Sequence, residues 1–218
     1  MRSNSELVGY LLEHGYADLR VAEAMERVDR KAFVPPEFWQ SAYEDIPIPI
    51  QHNQTISAPS VVAIMTRELD VRKGMKVLEV GTGSGYQAAV LAELIGESGR
   101  LVTVEIVPEL AERARSNLAP FGFRNIKVVN ADGSKGYAPE APYDRIIVTA
   151  AAPRVPPPLR EQLKDGGKLI IPIGSAYWQD LVVIERKGEK FEERPVLQVM
   201  FVPLIGEHGF KSGMESQR

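Results

Sequence analysis

The sequence predicts an α/β fold in which N-terminal helices precede a doubly wound, mostly parallel sheet. From residue 75 onward, short apolar runs rich in valine and isoleucine alternate with segments whose apolar residues recur at helical spacing. Before residue 60, two amphipathic helical patterns stand without a strand between them. Strands and helices that alternate along a chain form parallel sheets covered by helices on both faces. The pattern therefore indicates one α/β domain with a helical extension at its amino end.

The amino-terminal part of the chain predicts three helices and a loop. Apolar residues recur at helical spacing in two segments, and a third such segment follows a loop rich in proline and polar residues. The predicted helices cover residues 5–16, 21–34 and 57–71. Pro35 and Pro36 end the second helix. Ser57 or Ser60 lies near the start of the third, where serine is a common N-cap.

Six short apolar runs in the middle of the chain predict strands, and the segments between them predict helices. The predicted strands are residues 76–80, 100–106, 126–131, 144–150, 167–173 and 180–186. The predicted helices among them are residues 85–96, 107–122 and 156–167. A further strand is predicted over residues 194–207, and the tail from residue 211 is expected to fray. We find no repeat or low-complexity linker, so we predict one domain over residues 1–218, with a core at 75–185 and a C-terminal segment at 195–210.

Composition and charge exclude several classes of function. The 218 residues, 44% of them hydrophobic, suffice for one sizeable core. Lys and Arg number 26 against 29 Asp and Glu, and no basic tract is present, so extended nucleic-acid binding is disfavoured. The absence of cysteine excludes disulfides, thiolate zinc sites and a cysteine nucleophile. No apolar run suits a signal peptide or a membrane span, so we expect a soluble, cytoplasmic protein.

The three histidines do not predict a metal site. His14, His52 and His208 are scattered along the chain, without the spacing of metal ligands. Of the three, only His52 lies near a segment with a predicted function. We therefore expect no bound metal.

The segment VLEVGTGSGY, residues 77–86, predicts a ligand site. A strand ends at Val80, and the glycines that follow allow a tight turn and close approach of a ligand to the backbone before the next helix begins. A dinucleotide fingerprint would have its third glycine where Tyr86 stands, so hydride-transfer chemistry is disfavoured. The segment is not a phosphate-binding Walker loop either, because it lacks the Gly-Lys-Ser/Thr of that motif. Glu79, two residues before the first glycine, suits a cationic ligand. A plain strand-to-helix turn is the alternative.

Two acidic residues at later strand ends support the ligand site. Glu105 stands 20 residues beyond Gly85, where an acidic side chain at a strand tip accepts hydrogen bonds from ribose hydroxyls. Asp132 ends the third strand before Gly133, where an acceptor can meet an adenine amino group while glycine lets the base pass. A solvated strand end and an ordinary Asp-Gly turn are the respective alternatives. Together, these strand ends converge on the carboxyl edge of the sheet, where open α/β folds bind ligands.

These motifs resemble those of a known group. VLEVGTGSGY is similar to the cofactor loop of class I S-adenosylmethionine-dependent methyltransferases, which have a Rossmann-like fold. QTISAP upstream of this loop and FVPLIGE downstream resemble, more specifically, the protein-L-isoaspartate O-methyltransferase family. PYDRIIVTAAAP and LKDGGKLIIPIG extend the resemblance over nearly the whole chain. The sequence departs from the family at Ser60 and Val61, where a histidine or aromatic residue followed by methionine is common.

The resemblance implies an activity. It implies methyl transfer from S-adenosylmethionine to the free α-carboxylate of L-isoaspartyl residues in damaged proteins and peptides, with S-adenosylhomocysteine as product. The methyl ester then collapses to a succinimide, which reopens partly to normal aspartate. Because a carboxylate is already an anionic nucleophile, the enzyme needs no general base and has to desolvate and align it. This accounts for hydroxyl side chains in QTISAPS, a segment without carboxylate, histidine or cysteine.

The resemblance also implies roles for individual residues. Ser57 is the implied catalytic residue, with its hydroxyl donating to the substrate carboxylate. The implied cofactor residues are Glu79, Gly81, Thr82, Gly83, Ser84, Gly85, Glu105, Asp132 and Gly133. The implied substrate residues are Gln54, Thr55, Ile56, Ser57, Val202, Pro203 and Leu204. Residues 1–60 would then carry the substrate loop, residues 75–185 the cofactor, and residues 195–210 the other side of the substrate site.

Several alternatives stay open at this point. The chain could methylate RNA or a small molecule, or bind S-adenosylmethionine without turnover. Hydride transfer is a fourth alternative. Ser57 could serve only as a helix N-cap. We expect damaged proteins and peptides as partners, and neither nucleic acid, membrane nor an obligate protein partner.

Overall fold

The structure is a computed structural model, and it describes residues 1–211. Its helices are α1 (Asn4–Glu13), α2 (Leu19–Arg27), α3 (Pro59–Leu69), α4 (Tyr86–Ile95), α5 (Pro108–Leu118) and α6 (Pro157–Glu161). Its strands are β1 (Ile48–Pro49), β2 (Thr55–Ile56), β3 (Lys76–Val80), β4 (Arg100–Glu105), β5 (Ile126–Asn130), β6 (Tyr143–Val148), β7 (Leu163–Gly174), β8 (Gln179–Lys187) and β9 (Lys190–Val199). No helix in the described range is long and apolar enough to cross a bilayer.

Seven strands form one mixed sheet in the order β5-β4-β3-β6-β7-β8-β9. The strands from β5 to β7 run parallel to one another, and β8 and β9 are antiparallel to their neighbours. After β3 the chain adds β4 and β5 on one side, and it then crosses to add β6 on the other. The strand order therefore reverses between β3 and β6, and ligands bind open α/β sheets at such a switch point.

The central strands β3, β4 and β6 are buried on both faces, as their continuous apolar runs predict. On β3, Val77 belongs to one buried apolar cluster, whereas Leu78 and Val80 belong to a second cluster across the sheet. The first cluster also contains the apolar residues of α1 to α4. Because side chains alternate between the faces of a strand, each face needs its own cover of helices. The predicted doubly wound α/β fold with N-terminal helices is confirmed.

The second predicted helix is shorter than its apolar pattern indicates. α2 ends at Arg27, and a separate 3₁₀ turn covers Arg30–Phe33. The Asp29 carboxylate accepts a hydrogen bond from the backbone N–H of Lys31 at 2.9 Å. Short polar side chains compete with the helix for backbone groups in this way, so Asp29 caps a new turn and does not continue α2.

Two predictions near the carboxyl end were wrong. The helix predicted over residues 156–167 ends at Glu161, because the backbone from Leu163 pairs with β6 as the start of β7. The strand predicted over 194–207 ends at Val199 in β9, and the chain beyond it makes only isolated bridges. Of the tail predicted to fray, residues 212–218 lie outside the described part of the chain.

Candidate active site

A cavity of about 570 Å³ opens at the carboxyl edge of the sheet, next to the switch point. Its wall is formed by the β1–β2 hairpin with α3, the loop after β3, the tip of β4, and the residues that follow β6 together with the C-terminal segment. Pockets of roughly 300–1,000 Å³ typically hold small ligands and cofactors. Of the predicted site residues, those lining the cavity are Gln54, Thr55, Ile56, Ser57, Gly81, Thr82, Gly83, Ser84, Glu105, Gly133, Val202, Pro203 and Leu204.

The loop after β3 presents its backbone to the cavity. Gly81 has a φ of 97°, and a Cβ at this position would clash with the Thr149 hydroxyl. That hydroxyl donates to the carbonyl oxygen of Gly81 at 2.6 Å, and so fixes the first turn of the loop. Only glycine combines this backbone conformation with the absence of a side chain.

Glu105 ties the same loop to the tip of β4. Its carboxylate accepts hydrogen bonds from the backbone N–H groups of Gly83, at 2.9 Å, and Val107, at 3.1 Å. The side chain is largely buried and still lines the cavity. These two bonds hold the carboxylate in one orientation, and its remaining lone pairs can accept hydrogen bonds from a ligand.

Glu79 lies in the interior and does not line the cavity, which corrects its predicted place at the mouth of the loop. In the middle of the sheet it pairs with Thr103 of β4 and is fully buried. Neither of its carboxylate oxygens has a hydrogen-bond partner within residues 1–211. Burial raises the pKa of Glu79 to about 8; the neighbouring Thr103 hydroxyl acts against this shift, and the nearby Glu105 carboxylate adds to it. The strand alternation turns this side chain into the protein, behind the cavity floor.

Asp132 and Gly85 also lie outside the cavity lining. Asp132 accepts hydrogen bonds from the backbone N–H and the hydroxyl of Ser134, at 2.9 and 2.6 Å, and from the N–H of Glu207, at 2.9 Å. Its carboxylate therefore joins the end of β5 to the C-terminal segment. Gly85, with a φ of 90°, is the N-cap residue of α4, and a Cβ at this position would lie 3.3 Å from Cγ of Leu118 in α5.

The QTISAPS segment forms one wall of the cavity. Gln54 closes a tight turn, where its carbonyl oxygen accepts from the N–H of Ile50 at 2.9 Å, and Thr55 and Ile56 form β2 opposite β1. Ser57 follows β2 directly. Ser57 lines the cavity, and its hydroxyl has no hydrogen-bond partner in the described chain.

Ser57 is not the N-cap of α3, contrary to the alternative interpretation. The cap is Ala58, which makes no side-chain capping bond, and Pro59 is the first helical residue. The Asp45 carboxylate instead accepts from the N–H of Ser60 at 2.8 Å. Because a residue from the preceding loop caps the helix, the Ser57 hydroxyl is left for the cavity.

The C-terminal segment forms the opposite wall. Val202 and Leu204 make backbone hydrogen bonds to Ala151, the first from the Ala151 N–H at 2.8 Å and the second to the Ala151 carbonyl at 2.7 Å. Ala151 follows β6, on the far side of the switch point from the glycine loop. The structure thus places the two predicted substrate segments around the same cavity.

Some residues that line the cavity were not predicted from the sequence. Thr149 and Ala150 line the cavity just after β6, and Tyr86 and Gln87 line it from the first turn of α4. Thr149 had a usable signal, because it stands at the end of a predicted strand on the same edge as Glu105. Within residues 1–211, no cluster of three or more acidic or histidine side chains could hold a metal ion.

The fold and the cavity define a class of protein. An open α/β sheet with a glycine loop after β3 and a carboxylate at the tip of β4 is the arrangement of S-adenosylmethionine-dependent methyltransferases. The model of the protein-L-isoaspartate(D-aspartate) O-methyltransferase family matches residues 2–209. The chain therefore belongs to that family.

Individual relatives agree with this assignment. The chain is 55% identical over 196 residues to a protein-L-isoaspartate O-methyltransferase of Methanothrix thermoacetophila, covering 90% of this chain and 92% of the relative. It is 52% identical over 214 residues to that of Methanothermobacter thermautotrophicus, covering 97% and 99%. A candidate protein-L-isoaspartate O-methyltransferase structure from Plasmodium falciparum, solved with S-adenosyl-L-homocysteine, matches with a TM-score of 0.84 at 27% identity, covering 94% and 99%.

The predicted activity and cofactor are confirmed by these comparisons. The chain is a repair enzyme that methylates isoaspartyl residues, and S-adenosylmethionine is its methyl donor. The residues present fit this cofactor. The Glu105 carboxylate retains free lone pairs, and Gly81, Gly83 and Gly133 line the cavity without side chains.

Proposed function

We propose that Ser57 is the catalytic residue, and that its hydroxyl donates a hydrogen bond to the isoaspartyl carboxylate. The observation that carries this role is that Ser57 lines the cavity while its hydroxyl has no hydrogen-bond partner in residues 1–211. A substrate carboxylate can therefore take this donor without displacing an internal bond. A single positioned hydroxyl orients the attacking oxygen and leaves it anionic.

The substrate chain lies, in this proposal, between two backbone segments. Gln54, Thr55 and Ile56 support it from the β1–β2 hairpin, and Val202, Pro203 and Leu204 support it from the opposite wall. Ala151 holds the second segment through two backbone hydrogen bonds, which supports its role as a fixed wall. Extended segments that recognise a peptide by its main chain tolerate many side chains. Such tolerance suits an enzyme whose substrate is defined by a backbone linkage.

The cofactor lies, in this proposal, on the β3–β5 side of the cavity. Glu105 accepts from the ribose hydroxyls, and the backbone around Gly81, Thr82, Gly83 and Ser84 surrounds the methionine part. Gly133 leaves room for the adenine ring. S-adenosylmethionine supplies the electrophilic methyl group. Three predicted residues support this site from outside the lining. Glu79 is buried beneath it, Gly85 allows close packing of α4 against α5, and Asp132 holds the C-terminal segment.

The test is a matched pair of serine substitutions. We expect Ser57→Ala to bind S-adenosylhomocysteine with unchanged affinity and to lose about 10- to 1,000-fold in kcat on an isoaspartyl peptide, because a positioned donor is removed from the transition state. Ser60→Ala is the control, since Ser60 lies three residues further on and does not line the cavity. Methyl-labelled cofactor with α-linked and isoaspartyl peptides of one sequence provides the assay. Equal kcat in the two variants would remove Ser57 from catalysis.

The remaining expectations concern the whole chain. We infer one methyltransferase domain over residues 1–218, a cytoplasmic location, and damaged proteins and peptides as partners. The acidic balance of the chain supports the absence of nucleic acid among them. Gel filtration with and without an isoaspartyl protein would test for an obligate partner.

A further inference from the structure

Apolar side chains are exposed on the turn between β7 and β8 and at the adjacent end of β9. Trp178 is 63% exposed, Tyr177 is 59% exposed and Met200 is 74% exposed. Among the other large apolar residues of the described chain, only Leu19 is more than half exposed, and it lies at the start of α2. Isolated exposed apolar residues are ordinary, but a group at one edge of a sheet indicates an interaction site.

This group lies on the substrate side of the cavity. The glycine loop and Glu105 follow β3 and β4, whereas the C-terminal wall is bonded to Ala151 after β6. The next parallel strand outward is β7, and the β7–β8 turn extends from its carboxyl end. At the carboxyl edge of the sheet, the proposed substrate wall therefore lies between the cofactor side of the cavity and the β7–β8 turn that carries Trp178.

The exposed group is continuous with the cavity wall. Met200 is two residues before Val202, which lines the cavity, and two extended residues span about 7 Å. Gln179 pairs with Val199 at the end of the β8–β9 ladder, so Trp178 and Met200 stand opposite one another just beyond it.

The turn is held in place by its own hydrogen bonds. The Gln179 amide accepts from the N–H of Phe201 at 2.7 Å and donates to the carbonyl of Ser175 at 2.7 Å. The N–H of Trp178 donates to the Ser175 hydroxyl at 3.1 Å. These bonds fix the β7–β8 turn and the start of the substrate wall as one unit. Because this turn is already fixed, a partner that binds there loses little free energy to the ordering of the loop.

We propose that Trp178 and Met200, with Tyr177, bind the substrate polypeptide where it leaves the active site. This inference rests on the proposed placement of the substrate chain against Val202 to Leu204. The isoaspartyl residue is part of a longer chain, so its neighbours must leave the cavity along one of its walls. An apolar surface about two residues away from the wall makes the enzyme favour damaged sites flanked by apolar side chains, which are common in unfolded or loosened segments.

The experiment compares three isoaspartyl peptides with one central sequence. The first ends one residue on either side of the isoaspartate, the second continues with leucine and phenylalanine on both sides, and the third continues with serine and glutamine. The variant combines Trp178→Ser with Met200→Ser, and Leu19→Ser is the matched control. Kinetics give kcat and KM for each peptide, and titration with S-adenosylhomocysteine reports an intact cofactor site.

We expect the combined variant to raise KM for the apolar peptide about five- to tenfold, which corresponds to the loss of partial burial of two large side chains. Its kcat, its KM for the short and polar peptides, and its affinity for S-adenosylhomocysteine should match those of the wild type, as should all values for Leu19→Ser. Equal KM values for the apolar and short peptides in the wild type would overturn the proposal, as would an unchanged KM in the variant. Failure of the Ser57 assignment is distinct, because it concerns kcat on the short peptide.

Discussion

Gly133→Ala tests how tightly the cofactor side of the cavity is packed against the sheet. Gly133 follows β5 and lines the cavity. A Cβ at this position would lie 2.6 Å from Cγ1 of Val80, and 3.6 Å from Cγ1 of Val104. The backbone of Gly133 does not have a positive φ, so alanine could adopt its conformation. The effect of the substitution is therefore a steric one.

The neighbour that would have to move is confined. Val80 ends the central strand β3 and is 1% exposed. A β-branched side chain has restricted rotamers, and its surroundings here are close-packed. Overpacking of this kind typically lowers the free energy of unfolding by about 1–3 kcal/mol. We expect a loss of about 2 kcal/mol for Gly133→Ala in the absence of cofactor.

Urea unfolding of a double-mutant cycle measures this clash. Val80→Ala removes the methyl group that Gly133→Ala would meet, so the double variant should be more stable than the sum of the single effects by at least about 1 kcal/mol. Gly9→Ala is the control, because an added Cβ in α1 meets nothing within 4 Å. It should raise stability by about 0.5–1 kcal/mol through helix propensity. Additive effects of Gly133→Ala and Val80→Ala would refute the steric argument.

Two further predictions concern pH. Burial raises the pKa of Glu79 from 4.5 to about 8, so the stability that its protonated form contributes is complete below pH 4.5 and is lost as the pH rises through about 8. Over this pH range we expect the free energy of unfolding of the wild type to fall relative to that of Glu79→Gln. Urea unfolding at several pH values measures this difference. If the free energies of both variants changed with pH in parallel, a buried carboxyl with a raised pKa would be contradicted. Hydrogen bonds from Arg100 and then Lys127 lower the pKa of Glu140 to about 2, so its contribution is present above pH 4.5 and is lost as the pH falls towards 2. Because this group is partly exposed, Glu140→Gln should cost about 1 kcal/mol at neutral pH and flatten acid unfolding followed by circular dichroism, whereas an unchanged acid profile would assign the stability to other groups.

The parallel strands could be predicted because their burial leaves a local signal. β3 was predicted at its observed bounds, Lys76–Val80, from a nearly unbroken apolar run. Strands buried on both faces have this composition whatever their neighbours are. The end of α6 could not be found in this way, because the backbone from Leu163 leaves the helical pattern to pair with Tyr143, which is distant in sequence. Tertiary pairing there overrides the local preference.

Spacing in the sequence predicted several residues that line the cavity, but it did not show to which side of a strand each side chain points. Gly81, Gly83 and Glu105 meet at the cavity because they follow neighbouring parallel strands. Glu79 has the same spacing signal, but its position in the alternation of β3 turns it into the interior. The carboxylate of Asp132 accepts a hydrogen bond from the backbone N–H of Glu207, 75 residues further along the chain, and no local pattern indicates that contact.

The N-terminal extension connects the two halves of the site through one buried cation. The Arg30 side chain is fully buried, and its Nε and Nη2 donate to the carbonyls of Ala42, at 3.1 Å, and Ile46, at 3.4 Å. Its guanidinium lies 5.2 Å from the ring centroid of Tyr86, the first residue of α4 after the glycine loop. Burial lowers the pKa of Arg30 to about 10, which leaves it charged at neutral pH.

The loop that Arg30 holds carries Asp45, the residue that caps α3 just after Ser57. The same cation therefore holds the loop that leads into the β1–β2 hairpin and Ser57, and it contacts the helix that follows the glycine loop. In-line methyl transfer requires the nucleophile and the methyl donor to be aligned, and misplacement of either by about 1 Å reduces the rate strongly. In the proposed site, the N-terminal extension would thus position the substrate carboxylate relative to the methyl donor.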